Sequence, residues 1–273
     1  MIGFIVAVLA LLLSSTSHQG ADSLRLGLRN PLGVSTEIAV YDARTSSELL
    51  NMLTGHVNYG PEAGRRFVLR SGSIYYLIPW GLLREAGIEG TDQLVSLSDG
   101  TRLRGRILTS VETGPRDRRT YDLSSATHVS VIAAPLPPDA MSPESYWPDQ
   151  WELTLPGSPV KPLRVRQPRF AIEYYSGRGY VVGGRDVQDV VRNFRVRVGP
   201  DTVRANVTDF VSIAYWNRAG RDSVEVHAPG GSPARGTFVL PGPATHWLLT
   251  AVWANGIHIA VASGQGWTLT RLP

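Results

Sequence analysis

Beyond about residue 22 the chain consists of short runs of Val, Ile, Leu, Tyr, Phe and Trp, interrupted roughly every eight to twelve residues by Gly, Pro, Asn or Asp. That spacing leaves no room for the crossover helices of alternating βα units, so it predicts an all-β, antiparallel fold. The clearest strands are expected at 37–41, at 66–70 and 73–78 around Ser71-Gly72, and at 94–97 and 102–108 around Asp99-Gly100. Asp-Gly predicts a two-residue type I′ hairpin loop. Near the end, runs at 247–253 and 257–262 bracket Asn255-Gly256. This stretch is apolar throughout, but Asn-Gly divides it into pieces too short to span a membrane, and a hairpin is expected instead.

Helix is expected in three places only: 46–53, 81–86 and 185–193, where Val187, Val190, Val191 and Phe194 share one helical face. Between Ala134 and Pro168 the prolines crowd together, which predicts a long connection holding no more than one edge strand, at 151–155. The fold expected is therefore two antiparallel sandwich-like units, of immunoglobulin-like or jelly-roll type, over 22–134 and 169–273, joined by the Pro-rich connection 135–168. The two units share a faint similarity. Asn30-Pro31-Leu32-Gly33 has a counterpart in Asn217-Arg218-Ala219-Gly220, and Phe67-Val68-Leu69 has one in Phe238-Val239-Leu240.

Residues 2–13 form an unbroken apolar run. As a helix it would measure about 18 Å, well short of a hydrocarbon core of roughly 30 Å, so it reads as the core of a secretory signal peptide ending at residue 17 or 21. The chain has no cysteine. This removes disulfide scaffolds, thiolate metal sites, thiol nucleophiles and a lipoprotein anchor. Together with an export signal it points to a secreted or periplasmic bacterial protein without a transmembrane span in its mature form.

Arginine outnumbers lysine by twenty-six to one (Lys161), yet the net charge is only +4. An imbalance of this kind is what a GC-rich genome produces. A field this weak does not predict specific nucleic-acid binding. The excess is concentrated between Val160 and Arg204, and any anionic partner is expected there first.

Catalytic signatures are absent: there is no G-x-S-x-G, H-E-x-x-H, P-loop or dinucleotide-binding pattern. The six histidines are too far apart for a local metal motif, and no cofactor is expected. The one exception to consider is copper at His18, should signal cleavage expose its α-amino group beside the imidazole. Two clusters remain as ligand-binding candidates. In the first, Tyr146, Trp147 and Trp151 lie in the Pro-stiffened stretch, suited to stacking on a sugar or gripping a partner, or else to plugging a seam between the units. In the second, alternation sends Arg164 and Arg166, and likewise Arg195 and Arg197, to the solvent face of their strands. If those strands pair, four guanidinium groups share one face able to hold phosphate, sulfate or an acidic polymer. The function expected is a non-enzymatic binding or surface-interaction protein contacting a polysaccharide, an anionic polymer or a protein partner. The alternative is a secreted hydrolase or toxin-like enzyme whose site is assembled only by the fold.

Overall fold

The computed structural model describes residues 24–45, 66–114, 118–134, 150–155, 162–174, 187–191, 193–218, 221–239, 244–253, 256–262 and 264–273. The expected signal peptide, His18, Tyr146, Trp147, Asn255 and the expected helix at 46–53 lie outside them. The first half contributes β1 (Arg25–Arg29), β2 (Ser35–Ala39), β3 (Asp42–Thr45), β4 (Arg66–Ser71), β5 (Ile74–Pro79), β6 (Leu83–Glu89), β7 (Asp92–Leu97), β8 (Arg102–Ile107), β9 (Thr109–Glu112), β10 (Thr120–Asp122) and β11 (His128–Ala133). The second half contributes β12 (Gln150–Thr154), β13 (Leu163–Tyr174), β14 (Val187–Val191), β15 (Asn193–Val198), β16 (Asp201–Asn206), β17 (Ser212–Arg218), β18 (Arg221–His227), β19 (Ala234–Phe238), β20 (Ala244–Trp253), β21 (His258–Ala262) and β22 (Trp267–Arg271). Among the described residues the only helical pieces are three-residue 3-10 turns at Trp80–Leu82, Leu123–Ser125 and Val207–Asp209. The protein is nearly all β, with antiparallel sheets.

Nineteen strands form one continuous network. Following the pairings, it runs β2-β1-β11-β6-β7-β8-β4-β5-β21-β20-β13-β12-β22-β17-β18-β19-β15-β16, with β14 beside β12 along the same edge of β13. β3, β9 and β10 make a small separate sheet. Alternation along each strand sends one set of side chains to a common core that includes Leu26, Trp80, Trp151, Val196, Tyr215, Ile259 and Trp267. Because β21 pairs with β5, backbone hydrogen bonds run without a break from the first half of the chain into the second.

Several local expectations are corrected. Residues 83–89 and 187–191 are strands, not helices. At 187–191 three β-branched valines favour the extended state, and pairing with β13 decides it. The Asp99-Gly100 hairpin closes through a three-residue loop, Ser98-Asp99-Gly100. Leu97 N–H donates to the Thr101 carbonyl (2.8 Å), Asp99 accepts from Thr101 N–H (2.9 Å), and Gly100 takes φ +86°. The Pro-rich stretch contains a strand paired on both sides: β12 lies between β13 and β22, in the proline-free interval between Pro148 and Pro156. Pro168 does lie within β13, and there the ladder to β20 shifts register between Arg166 and Arg169, as a residue without an N–H requires.

Two segments are built alike. In each, a hairpin is followed by a 3-10 turn, a second hairpin and a last strand that returns to the first: β4 to β8, and β15 to β19. Gly72 and Gly199 open the first turn at φ +60° and +59°. Trp80 and Val207 begin the 3-10 turn and are fully buried. Leu69 pairs with Ile107 as Val196 pairs with Phe238, and each ladder ends in one further bond, Leu108 N–H to Val68 carbonyl (2.8 Å) and Val239 N–H to Arg195 carbonyl (2.9 Å). At the crossing point stand Gly105 and Gly236; a Cβ on either would lie 2.2 Å from the carbonyl oxygen of Arg70 or Arg197. Only glycine fits such an approach. The residue matching Phe67 is therefore Phe194, in place of the Phe238 that the sequence similarity suggested.

Candidate anion-binding face

Strand β15 reads Asn-Phe-Arg-Val-Arg-Val, and its alternation is realised: Phe194 and Val196 are buried while Arg195 and Arg197 are exposed. Phe194 is held by ring contacts with Phe210 (5.8 Å) and Phe238 (5.5 Å), which anchor the inner face. The Gly199-Pro200 turn fixes the register with β16, so that Arg195 lies directly opposite Arg204 and Arg197 opposite Thr202. On its other side Arg197 faces Thr237 of β19.

Three exposed guanidinium groups thus share one surface of two strands. Cross-strand neighbours stand about 5 Å apart at Cβ, a distance at which like charges destabilise the pair. Among the described residues none of the three forms a hydrogen bond or ion pair, whereas Arg25, Arg104 and Arg235 each meet a carboxylate, from Glu37, Glu89 and Glu225. The matching residue of the first unit differs too. Arg70 donates to the Gly72 carbonyl (3.0 Å) and lies over the Tyr75 ring.

Arg164 is exposed and Arg166 half-buried, but β13 does not pair with β15. It is taken up by β12, β14 and β20, and β12, β22, β17, β18 and β19 lie between it and β15 along the network. The expected four-Arg face is therefore not formed. Arg164 lies opposite Glu152, which offsets its charge. Arg204, by contrast, completes the cluster and was not singled out from the sequence; the turn signal Gly199-Pro200, which sets the hairpin register, is what could have found it.

Trp151 has no exposed surface. Its ring packs in the core beneath the Arg271 guanidinium (5.6 Å), so it plugs the interior and presents no stacking platform. Its Nε1 has no hydrogen-bond partner among the described residues. No three His, Asp or Glu side chains gather into a metal site among the described residues. Tyr215 donates to Asp222 (2.6 Å) and accepts from Gly264 N–H (3.2 Å), while Asn217 also donates to Asp222 (2.7 Å). Burial, and then the Asp222 carboxylate, push its hydroxyl up to about 12. A phenol held protonated in this way is a structural donor and a poor base. No protein-family model, no curated protein and no solved structure matches this chain.

Proposed function

We propose that this chain is an exported, non-enzymatic binding protein on a scaffold of two sandwich-like units, and that it docks an anionic polymer on the face formed by Arg195, Arg197 and Arg204. The reading rests on the Arg195–Arg204 opposition, a like-charge pair that forms no ion pair with a carboxylate among the described residues. Such a pair raises the free energy of the empty face, and a phosphate, sulfate or carboxylate group seated between the guanidiniums lowers it through charge-assisted, bidentate hydrogen bonds. Rigid strands supply the positioning.

Binding to a heparin column and to polyphosphate tests the proposal. The wild-type chain is expected to be retained at low ionic strength and released as salt rises, because exposed charges are screened within about 8 to 10 Å near physiological salt. The triple variant Arg195→Ala, Arg197→Ala, Arg204→Ala is expected to elute at distinctly lower salt, while Arg164→Ala leaves retention nearly unchanged. Equal retention of wild type and triple variant would refute the assignment of this face.

A further inference from the structure

Among the described residues three strands of the sheet network pair on one side only: β14, which pairs with β13, and the two strands at its ends. β2 pairs only with β1, and β16 only with β15, among the described residues. In the first of the two like units the strand equivalent to β16 is β5, and its outer edge is filled: β21 lies against it antiparallel, with His258 opposite Leu77, Ile259 opposite Tyr76, Ala260 opposite Tyr75 and Val261 opposite Ile74. The matching positions on β16 are Arg204, Val203, Thr202 and Asp201, all exposed. Among the described residues the molecule thus contains both a filled and an unfilled version of one edge.

The filled version shows what kind of strand fits: His258-Ile259-Ala260-Val261. Strand β2 and the residue after it read Glu37-Ile38-Ala39-Val40, the same pattern with a carboxylate in the leading place. Laid on β16 in the same register, Glu37 falls opposite Arg204, Ile38 opposite Val203 and Ala39 opposite Thr202. The free stretch ends there, because Tyr41 N–H donates to the Glu112 carbonyl (2.8 Å).

Backbone hydrogen bonding is in phase as well. Asn30 N–H donates to the Val34 carbonyl and Val40 N–H to the Leu24 carbonyl, so the even-numbered residues of β2 bond to β1. Ser35, Glu37 and Ala39 are left pointing at the free edge. On β16, Arg204 lies opposite Arg195, whose carbonyl is turned to β19, so Arg204 and Thr202 point outward by the same alternation. The residues that would meet are those with free N–H and C=O groups. Exposed apolar surface also collects at these edges. Of the six exposed large hydrophobic side chains among the described residues, Val203 lies on β16, Leu32 and Val34 precede β2, and Tyr41 follows it.

We infer that copies of this chain join edge to edge, the free edge of β2 in one copy adding antiparallel to the free edge of β16 in the next, with Glu37 opposite Arg204. This interface is heterologous, so it builds rings or filaments and not a closed pair. Pairing β16 with itself is disfavoured, because it brings together two Arg195 and Arg204 clusters. The inference does not depend on polyanion binding.

Light scattering on the full chain from about 1 to about 300 µM tests it. The wild-type mass is expected to grow with concentration past that of a dimer. Arg204→Glu and Glu37→Arg are each expected to weaken association at least about tenfold. An equimolar mixture of the two, and the double variant carrying both changes, are expected to regain it. Thr202→Pro removes an outward N–H without touching the β15 ladder, and is expected to yield a monomer with an unchanged melting temperature that still binds heparin. A chain monomeric across the range, an assembly indifferent to the two charge reversals and to Thr202→Pro, or a charge swap without recovery, overturns the inference.

Discussion

Strands β5 and β16 hold the same place in two units of the same construction, yet one reads Ile-Tyr-Tyr-Leu-Ile-Pro and is buried at every residue, and the other reads Asp-Thr-Val-Arg-Ala-Asn and is exposed over its first four. The difference comes from neighbours. β5 has β4 on one edge and β21 on the other. Its inner residues Ile74, Tyr76 and Ile78 enter the main core, while Tyr75 and Leu77 form a second cluster with Val68 and Ala260. Among the described residues β16 has a strand on one edge only. The pair shows that glycine positions, turn and register define the unit, while hydrophobicity at a given place follows whatever lies against it. Binary pattern and strand register are separate layers of information here.

The sharpest way to break the equivalence is to fill the crossing points. Gly105→Ala and Gly236→Ala each place a methyl group 2.2 Å from a backbone carbonyl oxygen, which cannot rotate away as a side chain would. Overpacking of a core costs about 1–3 kcal/mol, and a clash with backbone is expected to exceed about 3 kcal/mol at both sites. Urea melts measure this. A large loss at one glycine with indifference at the other would show that the two crossings differ in kind.

A smaller effect separates the units at the residue facing each glycine. Opposite Gly105 stands Gln93, and opposite Gly236 stands Val224. Gln93 is buried, donates to the carbonyls of Leu123 (2.8 Å) and Ala126 (3.4 Å), and accepts from Ile107 N–H (2.9 Å). It ties β7 and β8 to the second 3-10 turn. Gln93→Val, which imports the residue of the other unit, takes this partner from Ile107 N–H and the Ala126 carbonyl and leaves the Leu123 carbonyl only the bond from Ala126 N–H (3.4 Å), and is expected to cost about 2–3 kcal/mol in a urea melt. A cost below about 0.5 kcal/mol would mean that the valine arrangement serves both units equally well.

Much of the fold was legible because strand period and turn residues are local signals. Phe194, Arg195, Val196 and Arg197 alternate as their sequence says, and Gly72 and Gly256 lie in hairpin connections with positive φ. What was not legible is non-local. The helical spacing of Val187, Val190 and Val191 gave way to pairing with β13, a choice made by a strand distant in sequence. Trp151 beside Tyr146 and Trp147 suggested a presented cluster, yet Trp151, Leu153 and Leu155 alternate inward and are buried. The unit repeat was sensed but misaligned, with Phe67 set against Phe238 in place of Phe194, because its marks are a pair of close-packed glycines and two ladder registers, while the side chains between them have diverged with their surroundings. At the candidate site, two of the four expected arginines remained and one new residue joined them, since only pairing decides which strands share a face.

The smallest effect concerns two tyrosines, one from each unit, whose hydroxyls are both pushed up to about 12, for different reasons. Burial alone raises Tyr76, whose hydroxyl has no hydrogen-bond partner among the described residues. Burial raises Tyr215 as well, and the Asp222 carboxylate adds to it by accepting the hydroxyl's hydrogen bond and by its charge. Each folded-state value lies above the ordinary phenol value of about 10, so the folded state holds its proton where the unfolded chain releases it. The associated stability is fully present below pH 10 and is lost as pH rises from about 10 to about 12. Asp222→Asn removes the charge and keeps the shape. It is expected to lower the Tyr215 transition in an ultraviolet phenolate titration and to leave Tyr76 where it is. Equal movement of both transitions would mean that the variant loosens the shared core, whereas no movement would assign the Tyr215 shift to burial in full.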